Sequence, residues 1–224
     1  SHKNLRIVSQ SSATGTQFLQ AVGCALSRKL EKNNELVYVS AGEGTTSQGD
    51  FHEALNWASN SKAPVIFHIQ DNEYAISTHK SIQNADSVYA MSSGYRNLGR
   101  YDVNGVDFFE TNLAFKEAAE RARKGKGPSL IVSNVVRLLP HSSSDDQRKY
   151  RTEQELIEDK KRDPIVILQD QCIKHEIITT KEFEKINNEV KKLIDDDIKW
   201  ALSQNNPEPS GAIMHVYSND LSSD

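Results

Sequence analysis

Cysteine is scarce in this 224-residue sequence, and the two present, Cys24 and Cys172, stand far apart with no CxxC partner. That excludes a disulfide framework and a thiolate metal cluster, and both read as buried thiols in a reducing compartment. No apolar run approaches the roughly 18 residues of a transmembrane helix. The first twenty residues are polar and hold no signal-peptide-like apolar segment. A basic block is also missing: 27 Lys and Arg face 31 Asp and Glu, for a net charge of −4, which argues against nucleic acid as the main partner. The seven histidines, at 2, 52, 68, 79, 141, 175 and 215, show no ligand spacing for zinc. Hydrophobic residues make up only 37%, yet apolar runs recur and charge is mixed, which excludes wholesale disorder. A chain of this length can bury close to ~70% of its unfolded surface, so folding needs no covalent or metal staple. A soluble intracellular globular protein is expected, built as one large domain or as a domain with a tail.

What is present is an alternation of short β-rich runs and helical stretches. Leu5–Val8 reads as a strand, Gln17–Lys32 as a helix and Leu36–Ser40 as a buried strand. Gly42-Glu43-Gly44 then turns the chain into a helix over Asp50–Asn60, capped near its start by Asp50. Pro64–Gln70 and Arg100–Asn104 read as strands. A long helix with Asp107 or Thr111 as cap reaches Lys124, and Ser129–Val136 is the last strand. This order predicts an α/β fold, a parallel sheet with helices on both faces. Residues 137–151 form a long polar loop, of the kind that is functional or disordered. Thr152 with Glu155 three residues on is a capping-box signature. Helices over 152–161, 164–174 and 180–204 complete the chain, with 211–218 as a short strand or an extended tail. The expected division is a core at 1–150 and a helical extension at 151–224. The charged helix 181–199 reads as a solvated face over Phe183, Ile186, Val190 and Ile194, or as a partner-facing surface.

The most informative segment is 40–78. Gly42-x-Gly44 ends one strand before a helix, and Asp71-Asn72 ends the next strand, so Glu43 and Asn72 lie one strand–helix–strand unit apart. On neighbouring strands, ~4.8 Å apart, both side chains reach one point above the sheet edge, where open α/β sheets bind ligands. A dinucleotide fingerprint, with Asp71 on a ribose hydroxyl, fails twice. Ser47 stands at the third glycine position, and Glu43 would face a pyrophosphate with nothing between the like charges. Placing Mg²⁺ between them turns the acid into a ligand. Mg²⁺ takes one or two carboxylates and completes its octahedron with phosphate oxygens and water, and Glu43, the Asn72 amide oxygen and a backbone carbonyl just beyond satisfy that pattern.

This segment resembles the thiamine diphosphate motif, G-D-G followed after about thirty residues by N. Its flanks are similar to the α subunit of 2-oxo acid dehydrogenase E1 components. GEG for GDG, with QGDFHEALNWAS after it and DNEYAIST at the next strand, most resembles the branched-chain (2-oxoisovalerate) type. SQSSATGTQFLQAVG at 9–23 resembles the start of a helix in the same proteins, and RLLPHSSSDDQRKYR at 137–151 resembles their His-Ser-x-Ser-Asp-Asp active-site loop. The four motifs follow in unbroken order. Some members of the family fuse α and β parts in one polypeptide.

The resemblance implies a thiamine diphosphate-binding fold with Mg²⁺ held by Glu43, Asn72 and the backbone carbonyl of Tyr74. Gly42, Gly44 and Thr45 are implied at the diphosphate, with Gln70 and Ile76 also at the cofactor, and His141 near its reactive end as the catalytic residue. Ser11, Thr16 and Gln17 match a K⁺ site of some relatives. Ser142 stands where mitochondrial relatives are phosphorylated. The implied reaction is oxidative decarboxylation of a 2-oxo acid, a branched-chain one on this resemblance, with acyl transfer to a lipoyl group on E2. The implied partner is an E1 β subunit or domain in an (αβ)₂ assembly, and the implied setting is bacterial cytoplasm or mitochondrial matrix. There are departures. Gln70 stands where many relatives have an Arg on the diphosphate, which removes one charge-assisted contact, and Thr14 replaces a bulky apolar residue. Full-length α chains also carry an upstream segment with further diphosphate ligands, so this sequence reads as truncated. Pyruvate or acetoin dehydrogenase E1 α, a nucleotide-binding α/β enzyme and a non-catalytic interaction domain remain as alternatives.

Overall fold

The computed structural model describes residues 2 and 4–213. The chain divides into two compact units, one up to Asp170 and one from Gln171. In the first unit, α1 (Thr16–Leu30) leads to β1 (Val37–Gly42), α2 (Gly49–Ser61) and β2 (Val65–Asp71). Small elements follow: a hairpin of β3 (Tyr74–Ala75) and β4 (Thr78–His79), then α3 (Lys80–Gln83) and α4 (Val88–Met91). After them come β5 (Gly99–Asn104), α5 (Phe108–Arg123), β6 (Ser129–Asn134) and α6 (Glu153–Lys161). The boundary between units falls within α7 (Pro164–Lys174), and α8 (Thr180–Ser203) is the main element of the second unit.

The four long strands form one parallel sheet in the order β1-β2-β6-β5. Its core explains why β2 is apolar at Val65, Ile66, Phe67 and Ile69 and buried at all but one position: successive side chains point to opposite faces, and both faces are covered. On one, Phe18 and Val22 of α1 and Phe51 and Leu55 of α2 pack against Val65, Phe67, Ile69, Leu130 and Val132. Phe18 centres this layer, its ring 5.0 Å from Phe51 and 6.1 Å from Phe67. On the other, Ala114 and Ala118 of α5 sit against Ile66, Val103 and Ile131. Alanines let that helix lie close to the sheet. The expected fold class, a parallel sheet with helices on both faces, is the one observed.

Because all strands run one way, their C-terminal ends share one edge. β1 pairs with β2 from Val37↔Val65 to Gly42↔Gln70, so Glu43 and Asn72 leave the sheet side by side. Asp107 caps α5 through its carboxylate, which accepts the Phe109 and Glu110 N–H groups; of the two candidate caps it is the one used. Thr152 and Glu155 make the expected capping box at α6, and Thr179 and Glu182 repeat it at α8. On α8 the apolar residues Ile186, Val190 and Ile194 are about half exposed. Among the described residues no helix is long and apolar enough to cross a membrane.

Several expectations need correction. Leu5–Val8 is not a strand: the chain turns through Arg6 at φ 54°, and Ile7 makes one isolated antiparallel bridge with His2. The run pairs with neither edge strand of the sheet, β1 or β5, and its apolar side chains stay exposed. Asp50 lies inside the first turn of α2, and Gln48 stands at its N-cap without a side-chain bond. Cys24 is exposed and Cys172 half-buried, both as free thiols. Of residues 211–218, Gly211–Ile213 belong to a 3₁₀ turn and the rest lie outside the described residues.

One buried polar group crosses this sheet. His68 of β2 lies on the α5 face, its Nδ1 2.9 Å from the Tyr38 hydroxyl and its Nε2 2.9 Å from Ser133 Oγ. The Phe115 ring meets it edge-on at 5.0 Å. Burial favours the neutral ring and lowers its pKa from 6.5. A neutral-buried histidine contributes stability that is present at neutral pH and is lost as pH falls below 6.5, where the unfolded chain takes up the proton. Urea unfolding at pH 7.5 and 5.5 should therefore show a stability loss on acidification that shrinks in His68→Gln.

Candidate functional site

Beyond β1 the chain enters a 3₁₀ turn, Glu43–Ser47, closed by a 2.7 Å bond from Thr46 Oγ1 to the Glu43 carbonyl. The Glu43 side chain is 1% exposed. Its Oε2 accepts the Asn72 N–H at 3.2 Å, whereas its Oε1 is buried with no hydrogen-bond partner. Burial is the main cause lifting its pKa above 4.5, with the Asp71 carboxylate adding to it. Leaving a charged acceptor buried and unpaired costs on the order of several kcal/mol, so the geometry suits a cation at Oε1. Among the described residues no three His, Cys, Asp or Glu side chains converge as a metal cluster. One carboxylate with neutral oxygens nearby is instead a donor set for a hard cation that keeps water or phosphate oxygens in its shell.

The segment after β2 supplies the neutral oxygens. Asn72 Oδ1 accepts the Tyr74 N–H at 3.1 Å. The backbone takes positive φ at Glu73 (72°) and Ile76 (57°), an uncommon conformation at non-glycine positions. These turns fold the hairpin back over the Glu43–Ser47 turn. A Cβ on Gly44 would lie 2.6 Å from the Ala75 Cβ, so the contact of the two turns itself requires glycine there. Helix α3 fastens the contact: Gln83 Nε2 donates to the Gly44 carbonyl at 2.9 Å and to Ser47 Oγ at 2.7 Å. Lys80, three residues earlier on the same helix, pairs with Asp71 at 3.1 Å and with Glu73 at 3.3 Å.

Asp71 is 4% exposed, and both its oxygens are engaged, Oδ2 by Lys80 and Oδ1 by the Glu73 N–H. It is a structural carboxylate, not a free acceptor for a ribose hydroxyl, which weakens the dinucleotide reading further.

Residues 137–151 are an extended loop with one 3₁₀ turn, Gln147–Lys149. His141 is exposed, and its backbone N–H donates to Asp145 Oδ2 at 2.9 Å. The same oxygen accepts the Tyr150 hydroxyl at 2.6 Å, and the two bonds hold the Asp145 carboxyl below its usual range. Arg137 donates to the Tyr150 hydroxyl at 2.7 Å and to the Ile76 carbonyl at 2.8 Å. Hydrogen bonds thus run from the His141 loop to the turn that follows Asn72. Arg137, Leu138, Leu139, Leu156 and Lys160 are among the residues lining a cavity of about 560 Å³ at this loop.

The other candidates are placed as follows. Gly42 closes β1, Gln70 is exposed at the edge of β2, and Thr45 is half-buried in the 3₁₀ turn. Ile76 is 54% exposed. Ser11, Thr16 and Gln17 gather around Ala13 and Gly15: Ser11 Oγ accepts the Ala13 N–H, Thr16 Oγ1 donates to the Ala13 carbonyl, and Gln17 Oε1 accepts the Gly15 N–H.

A family model described as the dehydrogenase E1 component matches residues 1–210. The chain belongs to the dehydrogenase E1 component family. Among curated members of it, the chain is 38% identical to the 2-oxoisovalerate dehydrogenase subunit alpha of Bacillus subtilis over 216 residues, 96% of this chain and 65% of that protein. It is 35% identical to the pyruvate dehydrogenase E1 component subunit alpha of Acholeplasma laidlawii over 217 residues, 96% of this chain and 63% of that protein. It is 41% identical to the pyruvate dehydrogenase E1 component subunit alpha of Staphylococcus aureus over 153 residues, 68% of this chain and 41% of that protein. The chain therefore spans less than two thirds of the length of these E1 relatives.

In this E1 component chain, sequence reasoning missed the roles of Lys80 and Gln83. Their spacing of three, directly after the Asn72 strand, places them on one helix face, but a helix of four residues leaves no periodic signal. Glu155 was legible only as a helix cap, although it also accepts the Tyr74 hydroxyl at 2.8 Å.

The unpaired Glu43 oxygen predicts a trade between stability and binding. With its folded pKa raised, the ionised carboxyl costs stability at pH above about 4.5. Glu43→Gln should therefore stabilise the metal-free chain at pH 7 by about 1–3 kcal/mol. Thermal unfolding in EDTA would measure it.

Proposed function

We propose that this chain is the diphosphate- and Mg²⁺-binding α part of a 2-oxo acid dehydrogenase E1 component. Its reaction is the oxidative decarboxylation of a branched-chain 2-oxo acid with acyl transfer to a lipoyl-bearing E2, and a β subunit or domain is required for activity. The observation that carries this reading is the buried Glu43 carboxylate, with Oε1 unpartnered and Oε2 bonded to Asn72. Thiamine diphosphate, when bound, supplies the nucleophilic carbon and the electron sink for loss of CO₂.

The chain's own residues bind and orient. Glu43, Asn72 and the Tyr74 carbonyl hold Mg²⁺, with K⁺ at Ser11, Thr16 and Gln17 as a supporting ion. Gly42, Gly44 and Thr45, at the entry to the 3₁₀ turn, would hold the diphosphate, as the free N–H groups of a helix start hold anions. Gln70 and Ile76 border the cofactor. The 137–151 loop presents the His141 imidazole to the reacting end and limits the access of water. No carboxylate of this chain is assigned to activate the aminopyrimidine; that role falls to the β part, in an (αβ)₂ assembly. The name of the Bacillus subtilis relative supports the branched-chain substrate. Those of the Acholeplasma and Staphylococcus proteins support pyruvate as the second reading. A bacterial cytoplasm is the setting proposed from these relatives.

Calorimetric titration of thiamine diphosphate with and without Mg²⁺ tests the site. Saturable, Mg²⁺-dependent binding that Glu43→Ala abolishes is expected, and nucleotide binding indifferent to Mg²⁺ would favour a nucleotide-dependent enzyme instead. The isolated chain should release no measurable CO₂ from 2-oxoisovalerate. Turnover without a β part would contradict the proposed division of labour.

A further inference from the structure

The far side of the site is held by a residue well removed in sequence. Tyr74 is 8% exposed, and its hydroxyl donates to Glu155 Oε1 at 2.8 Å across 81 residues of chain. The guanidinium groups of Arg151 and Arg137 lie 5.1 and 5.6 Å from its ring centroid. The other Glu155 oxygen, Oε2, accepts the Thr152 N–H at 2.8 Å and the Thr152 hydroxyl at 2.7 Å. Glu155 therefore closes the capping box of α6 with one oxygen and grips Tyr74 with the other. From Tyr74 the bonds continue inward: its N–H donates to Asn72 Oδ1 at 3.1 Å, and the Asn72 N–H donates to Glu43 Oε2 at 3.2 Å. One hydrogen-bonded chain joins the first turn of α6 to the carboxylate whose remaining oxygen is unpartnered.

We propose that Glu155 is a positioning residue for the divalent-cation site, acting through the Tyr74 hydroxyl to fix the Asn72 amide oxygen relative to Glu43. The inference rests on the proposed Mg²⁺ role of Glu43 and Asn72. Its physical basis is that a ligand oxygen is only as fixed as the group bonded to it, and Asn72 Oδ1 takes its bond from the backbone of the residue that Glu155 anchors. Loss of such an outer partner typically weakens metal binding by about 10–100-fold.

Tyr74→Phe removes the hydroxyl alone and leaves the ring between its guanidinium neighbours. The concentration of Mg²⁺ giving half-saturation of thiamine diphosphate binding, read by calorimetry on the whole chain, should rise by about tenfold. Thr152→Ala is the structural control. It weakens the cap of α6 and lowers the melting temperature, but it keeps the Thr152 N–H and Tyr74 bonds to Glu155, so its Mg²⁺ midpoint should stay within about twofold of the parent. An unchanged midpoint in Tyr74→Phe, or an equal rise in Thr152→Ala, overturns the positioning role while leaving the proposed site intact. Mg²⁺-independent behaviour of the parent chain overturns both.

Discussion

The architecture turns on a carboxylate placed where water does not reach it. Glu43 is buried at the C-terminal edge of a parallel sheet, with one oxygen bonded to a backbone N–H and the other left alone. Folding gains nothing from that arrangement, since an apolar or amide side chain would sit there at lower cost. The neighbouring structure keeps the carboxylate in place: the 3₁₀ turn closed by Thr46, the hairpin packed over Gly44, α3 clamping both turns, and the Asp71–Lys80 pair that offsets a second buried acid. Each fixes a position more than it adds stability, which is the pattern expected where binding, and not folding, sets the requirement.

The parts of the fold legible in the sequence were those with a strong periodic or capping signal. β2 and β6 announced themselves as apolar runs, α5 by the Asp107 cap, and α6 by Thr152 and Glu155. The adjacency of Glu43 and Asn72 followed from strand–helix–strand spacing alone. What was not legible is short or non-local. The two-residue strands and α3 carry too few residues to show a period, and Leu5–Val8 had the composition of a strand but pairs with neither edge strand of the sheet. The Tyr74–Glu155 contact links positions 81 residues apart, and no local pattern encodes it.

The same limit applied to the loop. Residues 137–151 read as polar and irregular, which they are, yet the structure knits them through Arg137, Tyr150 and Asp145 to the turn that carries Asn72. The hydrogen bonds account for how two segments more than sixty residues apart hold a common geometry.

The histidine in the middle of the sheet bears on this from a different direction. Tyr38, His68 and Ser133 stand on three adjacent strands and satisfy one another across them. A strand that slipped by one residue would turn its alternate face toward α5 and leave the imidazole nitrogens without partners. The trio thus marks the correct alignment of β1, β2 and β6 with a polar penalty for error, where apolar runs alone would tolerate a shift. A slip of one residue would also carry Glu43 about 3.3 Å past Asn72. The alignment of the sheet's interior and the spacing of the acid and amide at its edge are therefore one and the same constraint.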